Sequence, residues 1–303
     1  MIEKTYAGEP LDEIELVVPP RSRLYHLKPI GIETPRVESL TSFIARLAEA
    51  HCVTVRKLVL HVMLPLYGKS YLPSRAEDNN ISAFWKDSST FNGTSASAGE
   101  LVRVLEELTH RDNLRMLTML PWAEALSCKD LIRRTKAWCP CCYQEWLQEG
   151  KPIYDPLLWS LEIVTFCTRH AIWLQEYCPY CKRHLTMLAA QVRLGCCSHC
   201  GAWLGITAEL AQGAQSGSVG NELNWQHYLV RTVGELLAAS PLVPSPPDRE
   251  RFSQAIAVCL EYCADGKVSV LARKLGLSRR TIRDWKQGVQ VPKLAALLQC
   301  CYT

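Results

Sequence analysis

The sequence predicts a mainly α-helical protein with small β elements confined to two tandem cysteine-rich modules. Three observations support this fold class. Apolar residues recur at helical spacing on both sides of the chain's middle, cysteine pairs cluster in that middle, and basic residues concentrate near the carboxyl end. We expect an extended arm (1–35), a helical domain (36–127), two metal-binding modules (128–210), a linker (211–221) and a C-terminal helical domain (222–303).

The composition indicates a globular, intracellular protein. A chain of 303 residues has room for two or three domains, and an apolar fraction of 48% supports buried cores. The sequence contains no apolar run of membrane-spanning length, and residues 1–20 lack the features of a secretory signal. We therefore expect a cytoplasmic protein without membrane contact. In a reducing compartment its 15 cysteines serve as metal ligands and buried thiols rather than disulfides.

The amino-terminal elements follow from proline content and periodicity. Residues 1–35 are polar and include Pro19, Pro20, Pro29 and Pro35, which favours an extended arm. From Glu38 onwards, apolar side chains fall on one face of an amphipathic helix. The following segments are predicted in order: an apolar segment at 55–67, a small-residue loop at 87–99, and one helix with a shorter one at 100–126.

Two cysteine pairs in the middle of the chain have the spacing of a zinc site. Cys178 and Cys181 are followed, after 15 intervening residues, by Cys197 and Cys200. Tetrahedral zinc prefers thiolate and imidazole ligands, and ligands two residues apart can share one tight turn. This spacing predicts a closed four-thiolate site in a small zinc-ribbon element.

A second set of ligands lies upstream and has three cysteines and one histidine. Its members are Cys139, Cys142, Cys167 and His170. Neighbouring cysteines leave the register open, because Cys141 and Cys196 are spare and His184 could substitute for a ligand. We favour the sequential grouping, with an interleaved cross-brace as the alternative. The expected cofactor is two zinc ions per chain.

The motifs argue against an enzyme. A catalytic zinc keeps an open coordination position, whereas each predicted site has four protein ligands. The histidine-glutamate motifs of zinc deaminases and metalloproteases are absent. The kinase-like "HRDN" at 110–113 has no glycine-rich loop, and "GKS" at 68–70 has Met63 where a P-loop needs glycine.

A basic cluster near the carboxyl end predicts DNA binding. Between Lys267 and Lys293 there are eight basic residues and a single acid, Asp284, which favours a polyanion-binding face. Upstream, "ELNWQHYLVRTVGELLAA" predicts a helix, and the proline-rich 240–248 breaks the chain.

Within this cluster, residues 268–288 have the pattern of a helix-turn-helix. Ala272 is small where two helices approach, Gly276 permits the turn and Ser278 can cap the second helix. The recognition helix is expected at 278–287, with Ile282 and Trp285, three residues apart, facing inward. The alternative is an ordinary helical hairpin with a solvated basic face. The predicted DNA-binding residues are Ser278, Arg279, Arg280, Thr281, Arg283 and Lys286, with Lys182 and Arg183 on the second cysteine module.

The order of several motifs resembles the TniQ/TnsD family of transposon target-selection proteins. The resemblance covers about residues 24–204 and is strongest for cyanobacterial-type variants, including those of CRISPR-associated transposons. It is carried by "LYHLKPIGIETPRVESLTSFIARLAEAHCV", "LTMLPWAEAL", "RRTKAWCPCC", "PLLWSLEIVTFCTRHAIWLQEYCPYCKRHL" and "CCSHCG".

The resemblance implies a non-catalytic adaptor in the bacterial cytoplasm, associated with the nucleoid. Such a protein binds double-stranded target DNA directly or through a CRISPR effector complex, and recruits a TnsC-type AAA+ ATPase. Residues 1–50 are the expected contact with the ATPase. The alternative function is that of a zinc-containing helix-turn-helix transcriptional regulator.

Overall fold

The computed structural model describes residues 21–67, 84–206, 220–243 and 247–302. Over these ranges the protein is mainly helical and contains one two-stranded antiparallel sheet. The predicted fold class is confirmed. Residues 1–20 of the predicted arm lie outside the described ranges, as does the predicted linker up to Gly220, where a helix begins.

The described residues include ten α-helices and two short strands. The helices are α1 (Leu40–Ala50), α2 (Val55–Leu58), α3 (Ala96–Thr109), α4 (Pro140–Gln148), α5 (Leu157–Ser160), α6 (Gly220–Ala239), α7 (Arg249–Ala264), α8 (Val268–Lys274), α9 (Arg279–Lys286) and α10 (Leu294–Tyr302). The strands are β1 (Phe166–Cys167) and β2 (Ile172–Trp173). A π-helical turn (Val59–Met63) and 3₁₀ turns (Leu64–Leu66, Ser88–Thr90, Leu114–Leu117, Leu120–Trp122, Ser240–Leu242) connect them.

Side-chain caps set the starts of the amino-terminal helices. The Ser39 hydroxyl accepts the backbone N–H of Ser42 (3.3 Å) before α1, and the Ser95 hydroxyl accepts that of Ala98 (3.1 Å) before α3. Helix α3 therefore begins at Ala96, inside the segment predicted as a loop at 87–99. The predicted loop was wrong here because the run of small residues contains a helix cap, Ser95, followed by alanines that are compatible with a helix.

The chain after α3 also differs from the expected shorter helix. It forms two 3₁₀ turns, Leu114–Leu117 and Leu120–Trp122. Pro121 lies in the first turn of the second, where its missing N–H is tolerated. Leu114, Leu117 and Leu120 of these turns are nevertheless buried, so the periodicity predicted their burial correctly but not the helix type.

Residues 21–35 pack against the end of α3. Leu24 is buried and its N–H donates to the carbonyl of Leu108 (2.9 Å), while the ring Nδ1 of His26 lies 2.8 Å from the carbonyl oxygen of Thr109. The Arg111 guanidinium donates to the carbonyl of Leu27 (3.0 Å). This segment is non-helical, and these hydrogen bonds hold it against the end of α3.

One continuous hydrophobic core runs through α1, α3, both cysteine-rich modules and α6. A smaller core lies within α7, α8 and α9 and includes Ile256, Leu271 and Trp285. Helix α10 joins the two, because Leu298 belongs to the large core and Cys300 to the small one. The continuous core extends across the predicted domain boundary at residue 128. The division of the chain into domains therefore stays a prediction.

A buried ion pair anchors the start of α1. The Glu38 side chain is fully buried, and its carboxylate accepts hydrogen bonds from Arg46 (2.5 Å), the Ser42 hydroxyl (3.0 Å) and the Ile30 N–H (3.3 Å). Burial raises the pKa of Glu38 to about 7, although the charge of Arg46 lowers it. The folded state therefore binds the proton on Glu38 more tightly than the unfolded state does. This difference stabilises the folded state at low pH, and the stabilisation is lost as the pH rises through about 7.

We predict that Arg46→Met destabilises the protein in a pH-dependent way. At pH 8 the unpaired buried carboxylate should lower the free energy of unfolding by about 3–5 kcal/mol. At pH 6 the loss should be smaller because Glu38 can take up a proton. Urea denaturation measures both. The control is Arg103→Met, which removes an exposed pair with Glu107 and should cost less than about 1 kcal/mol. Equal losses in the two variants would contradict the role of Glu38.

Candidate metal centres and nucleic-acid interface

The first cluster is built at the start of α4 and around the β1–β2 turn. Cys139 caps α4, and its Sγ accepts the N–H of Cys142 (3.4 Å), while Pro140 occupies the first helical position. The hairpin brings Cys167 and His170 opposite them. The His170 Nδ1 lies 3.5 Å from the Sγ of Cys139, 3.3 Å from that of Cys142 and 3.8 Å from that of Cys167, and the Cys142 and Cys167 sulfurs are 3.8 Å apart.

Glu145 lies next to the His170 ring. Its Oε2 is 3.5 Å from the ring Nε2, beyond hydrogen-bond geometry, while Nδ1 faces the sulfurs. Arg169 forms an ion pair with the same carboxylate. A carboxylate behind a ligating imidazole holds the ring and its tautomer in place, which is the arrangement common at protein metal sites.

Arg36 lies against the same cluster. Its Nη1 is 3.7 Å from the Sγ of Cys142. Burial lowers the pKa of the Arg36 guanidinium, but the negative charges of Cys142 and Cys167 outweigh this and raise the pKa overall. A cation next to sulfur ligands offsets part of their charge. This contact also ties the chain just before α1 to the first cluster.

The second cluster consists of two tight turns that face each other. The sulfurs of Cys178 and Cys200 are 3.7 Å apart, as are those of Cys181 and Cys197. Each turn closes through a left-handed residue, because the N–H of Lys182 (φ +58°) reaches the carbonyl of Cys178 and the N–H of Gly201 (φ +74°) that of Cys197. Both turns thus direct two sulfurs to one point.

The structure groups the ligands sequentially and not as an interleaved cross-brace. In each cluster all four ligand atoms lie within 4.8 Å of one another. The spare residues lie outside these groups. Cys141 is buried within α4, Cys196 donates its N–H to the carbonyl of Arg193 (3.0 Å), and His184 Nδ1 lies 3.2 Å from the carbonyl oxygen of Glu176. The two clusters could each hold one metal ion such as zinc.

The predicted recognition helix is present as α9. The chain turns between α8 and α9 at Gly276 (φ +63°), and the Ser278 hydroxyl accepts the N–H of Thr281 (3.1 Å) as the cap of α9. Ile282 and Trp285 are buried, as the sequence predicted. Helix α9 packs against both α7 and α8, so its inner face is fixed and its outer face is free of the core.

The residues predicted to contact DNA fall into two groups. Arg279, Arg280, Arg283 and Lys286 are exposed on α9, whereas the hydroxyls of Ser278 and Thr281 are 2.8 Å apart and occupied with the cap. Arg280 also faces Asp284, with 3.8 Å between its Nε and the carboxylate oxygen. Lys182 and Arg183 are exposed on the second cysteine module.

Sequence reasoning missed Arg36 and Glu145. Glu145 lies three residues after Cys142 on α4, so helical spacing places both side chains on one face, and this signal was available. Arg36 is 106 residues from Cys142 along the chain, and no local pattern predicts that contact.

The comparison with protein families found one match. Residues 29–174 match the TniQ family model, a range that contains α1 to α5, the first cluster and the β1–β2 hairpin. Comparison with curated proteins found no match. Among the helices of the described ranges, none combines the length and hydrophobicity needed to cross a membrane.

We predict that the protein binds two metal ions and that each cluster can be emptied separately. Cys142→Ser and Cys197→Ser should each retain one ion per chain, because each removes one of four ligands. Native mass spectrometry counts the ions. Matched controls are Cys141→Ser and Cys196→Ser, which change the neighbouring thiols and should retain both. Loss of an ion in either control would contradict the sequential grouping.

Proposed function

We propose that the chain is a TniQ-type, non-catalytic adaptor that selects the target site in DNA transposition, because its residues 29–174 match the TniQ family model. In this role it binds double-stranded target DNA, directly as in TnsD-type targeting or through a CRISPR effector complex, and recruits a TnsC-type AAA+ ATPase. It works in the bacterial cytoplasm, associated with the nucleoid. The family match is the observation that carries the proposal.

We further propose that both clusters bind zinc in a structural role. Zinc–sulfur bonds of about 2.3 Å in a tetrahedral site place two sulfurs about 3.8 Å apart. The sulfur separations of 3.7 and 3.8 Å in the structure agree with this value. Four protein ligands leave no position for a substrate or water, so the zinc ions stabilise the fold and do no chemistry.

The exposed face of α9 is the proposed contact with duplex DNA. Its first turn presents Arg279 and Arg280 beside the positive end of the helix, and Arg283 follows one turn later. A recognition helix inserts its first residues into the major groove, while neighbouring cations contact phosphates. The capped, buried inner face of α9 supports this role, since it holds the helix in one orientation.

A zinc-containing transcriptional regulator is the second candidate, and the geometry of α8 and α9 favours it equally. Both functions use the same DNA contact, and the difference lies in the partner. The adaptor recruits an ATPase, whereas a regulator binds its operator alone.

We predict that replacing Arg279, Arg280 and Arg283 by alanine weakens duplex binding at least about tenfold and lowers the slope of log K against log salt by up to about 2.7, the change expected when all three arginines contact phosphates. Fluorescence anisotropy over a salt series measures both quantities. The matched control removes three exposed cations elsewhere, Arg103, Lys151 and Arg231, and should change neither. Equal effects of the two triple variants would refute the proposed recognition helix.

We predict ATP-dependent capture of a co-encoded AAA+ ATPase by the tagged protein. Tyr25, whose side chain is 58% exposed and whose ring stacks on His51 (4.1 Å between centroids), lies in the region proposed to contact the ATPase. Tyr25→Ala should reduce capture about fivefold or more, because exposed tyrosines often dominate interfaces. Tyr262→Ala, which changes an exposed tyrosine of α7, is the control. Operator-like DNA binding without any capture of the ATPase would favour the regulator.

A further inference from the structure

The two cysteine-rich modules differ sharply in charge. Residues 139–174, which hold the first cluster, carry four acidic and two basic residues. Residues 177–206, which hold the second, carry Lys182, Arg183 and Arg193 and no acid. A divalent ion on four thiolates would have a net charge of −2, which these three cations outweigh. The second module therefore has the charge of a polyanion-binding surface, and the first does not.

Aromatic rings stand beside these cations. Tyr180 and Tyr177 are 67% and 52% exposed, although tyrosines of this protein's core such as Tyr143 are fully buried. The Tyr177 ring packs on the His184 ring with 3.9 Å between centroids, so one of its faces is supported and the other is open. We define the knuckle surface as Tyr177, Tyr180, Lys182, Arg183 and His184.

The backbone holds the knuckle surface rigidly. Tyr177 and His184 pair as an antiparallel bridge, and the N–H of Cys178 donates to the carbonyl of Arg183 (3.0 Å). The ring Nε2 of His199 lies 3.2 Å from the carbonyl oxygen of His184. The acid nearest in sequence, Glu176, is paired with Arg133 (2.8 Å). The rings and cations are thus presented in a fixed arrangement, with the neighbouring carboxylate already neutralised.

We propose that the knuckle surface binds nucleic acid with unpaired bases, which stack on Tyr177 and Tyr180 while Lys182 and Arg183 contact the phosphates. Exposed aromatic rings interleaved with cations are how proteins grip single strands, since an unpaired base offers an open π face and a base pair within a duplex does not. The surface is built around one tight turn, from Cys178 to Lys182, and residues 177–206 contain no helix that could enter a major groove.

This proposal deepens the proposed function and rests on it, because target selection brings the protein to DNA and, in guided systems, to RNA. Two sources supply the same chemistry: a displaced DNA strand, or an unpaired segment of RNA. An acidic protein partner is the competing interpretation, since tyrosine and arginine are also common at protein interfaces.

Fluorescence anisotropy of the full chain with short oligo(dT), oligo(rU) and a mixed-sequence duplex tests the proposal. Tyr180→Ala should lower the affinity for at least one single strand by about 5- to 150-fold, the effect of losing one stacked base, and change duplex affinity by less than about twofold. Tyr180→Phe, which keeps the ring, should bind like the unchanged protein. Tyr262→Ala, which removes the most exposed tyrosine of the described ranges, should have no effect.

The two single strands identify the source of the ligand. A loss of affinity for oligo(dT) alone indicates displaced DNA, and a loss for oligo(rU) alone indicates RNA. A loss of affinity for both indicates base stacking that tolerates either sugar–phosphate backbone. If Tyr180→Ala loses metal, the double change of Lys182 and Arg183 to glutamine replaces it. That variant should lower the salt slope for single strands by about 1.4.

Three outcomes would overturn the proposal. They are an absence of single-strand binding by the unchanged protein, equal losses on duplex and single strands in Tyr180→Ala, and single-strand binding that none of the knuckle variants alters while capture of an acidic protein is lost. The triple arginine variant of α9 separates this result from the proposed function. It should lose duplex binding and keep single-strand binding, so the two surfaces fail independently.

Discussion

The middle of the molecule depends on two sets of four ligand atoms that lie within 4.8 Å of one another. Thiolates this close repel one another unless a cation lies between them, and the elements that carry them are too short to fold alone. The β1–β2 sheet has two residues per strand and α4 has nine residues. A metal ion held by each set would therefore replace the local core that these segments lack.

Buried polar groups join the cysteine-rich modules to α1 and to the residues just before it. Asp155 forms an ion pair with Lys136 (2.7 Å) and accepts the Tyr143 hydroxyl, while its own N–H donates to the hydroxyl of Ser42 on α1 (2.9 Å). Arg36, just before α1, makes a second connection to the first cluster. Such contacts require fixed geometry, because a buried charge that loses its partner is costly.

The sequence predicted what depends on short-range patterns. Pairs of ligands two residues apart, the cap at Ser278 and the inward positions Ile282 and Trp285 all follow from spacing within one or two turns. It could not predict that residues 21–35 lie across the end of α3, or that Arg36 meets Cys142, because these contacts join distant parts of the chain. Helix boundaries failed where small residues near Ser95 looked like a loop but served as a cap.

The continuous core has a consequence for how proteins of this architecture can diversify. In tandem zinc-finger arrays each finger folds by itself and can be exchanged independently of its neighbours. Here both cysteine modules share side-chain packing with α1 and α3, so neither can be transplanted without its surroundings. The block of α7 to α9 has its own small core and joins the rest partly through α10. Recombination at this junction would replace α9, the proposed contact with DNA, while leaving intact the body that holds both cysteine clusters, which makes the carboxyl-terminal block the evolvable part of the chain.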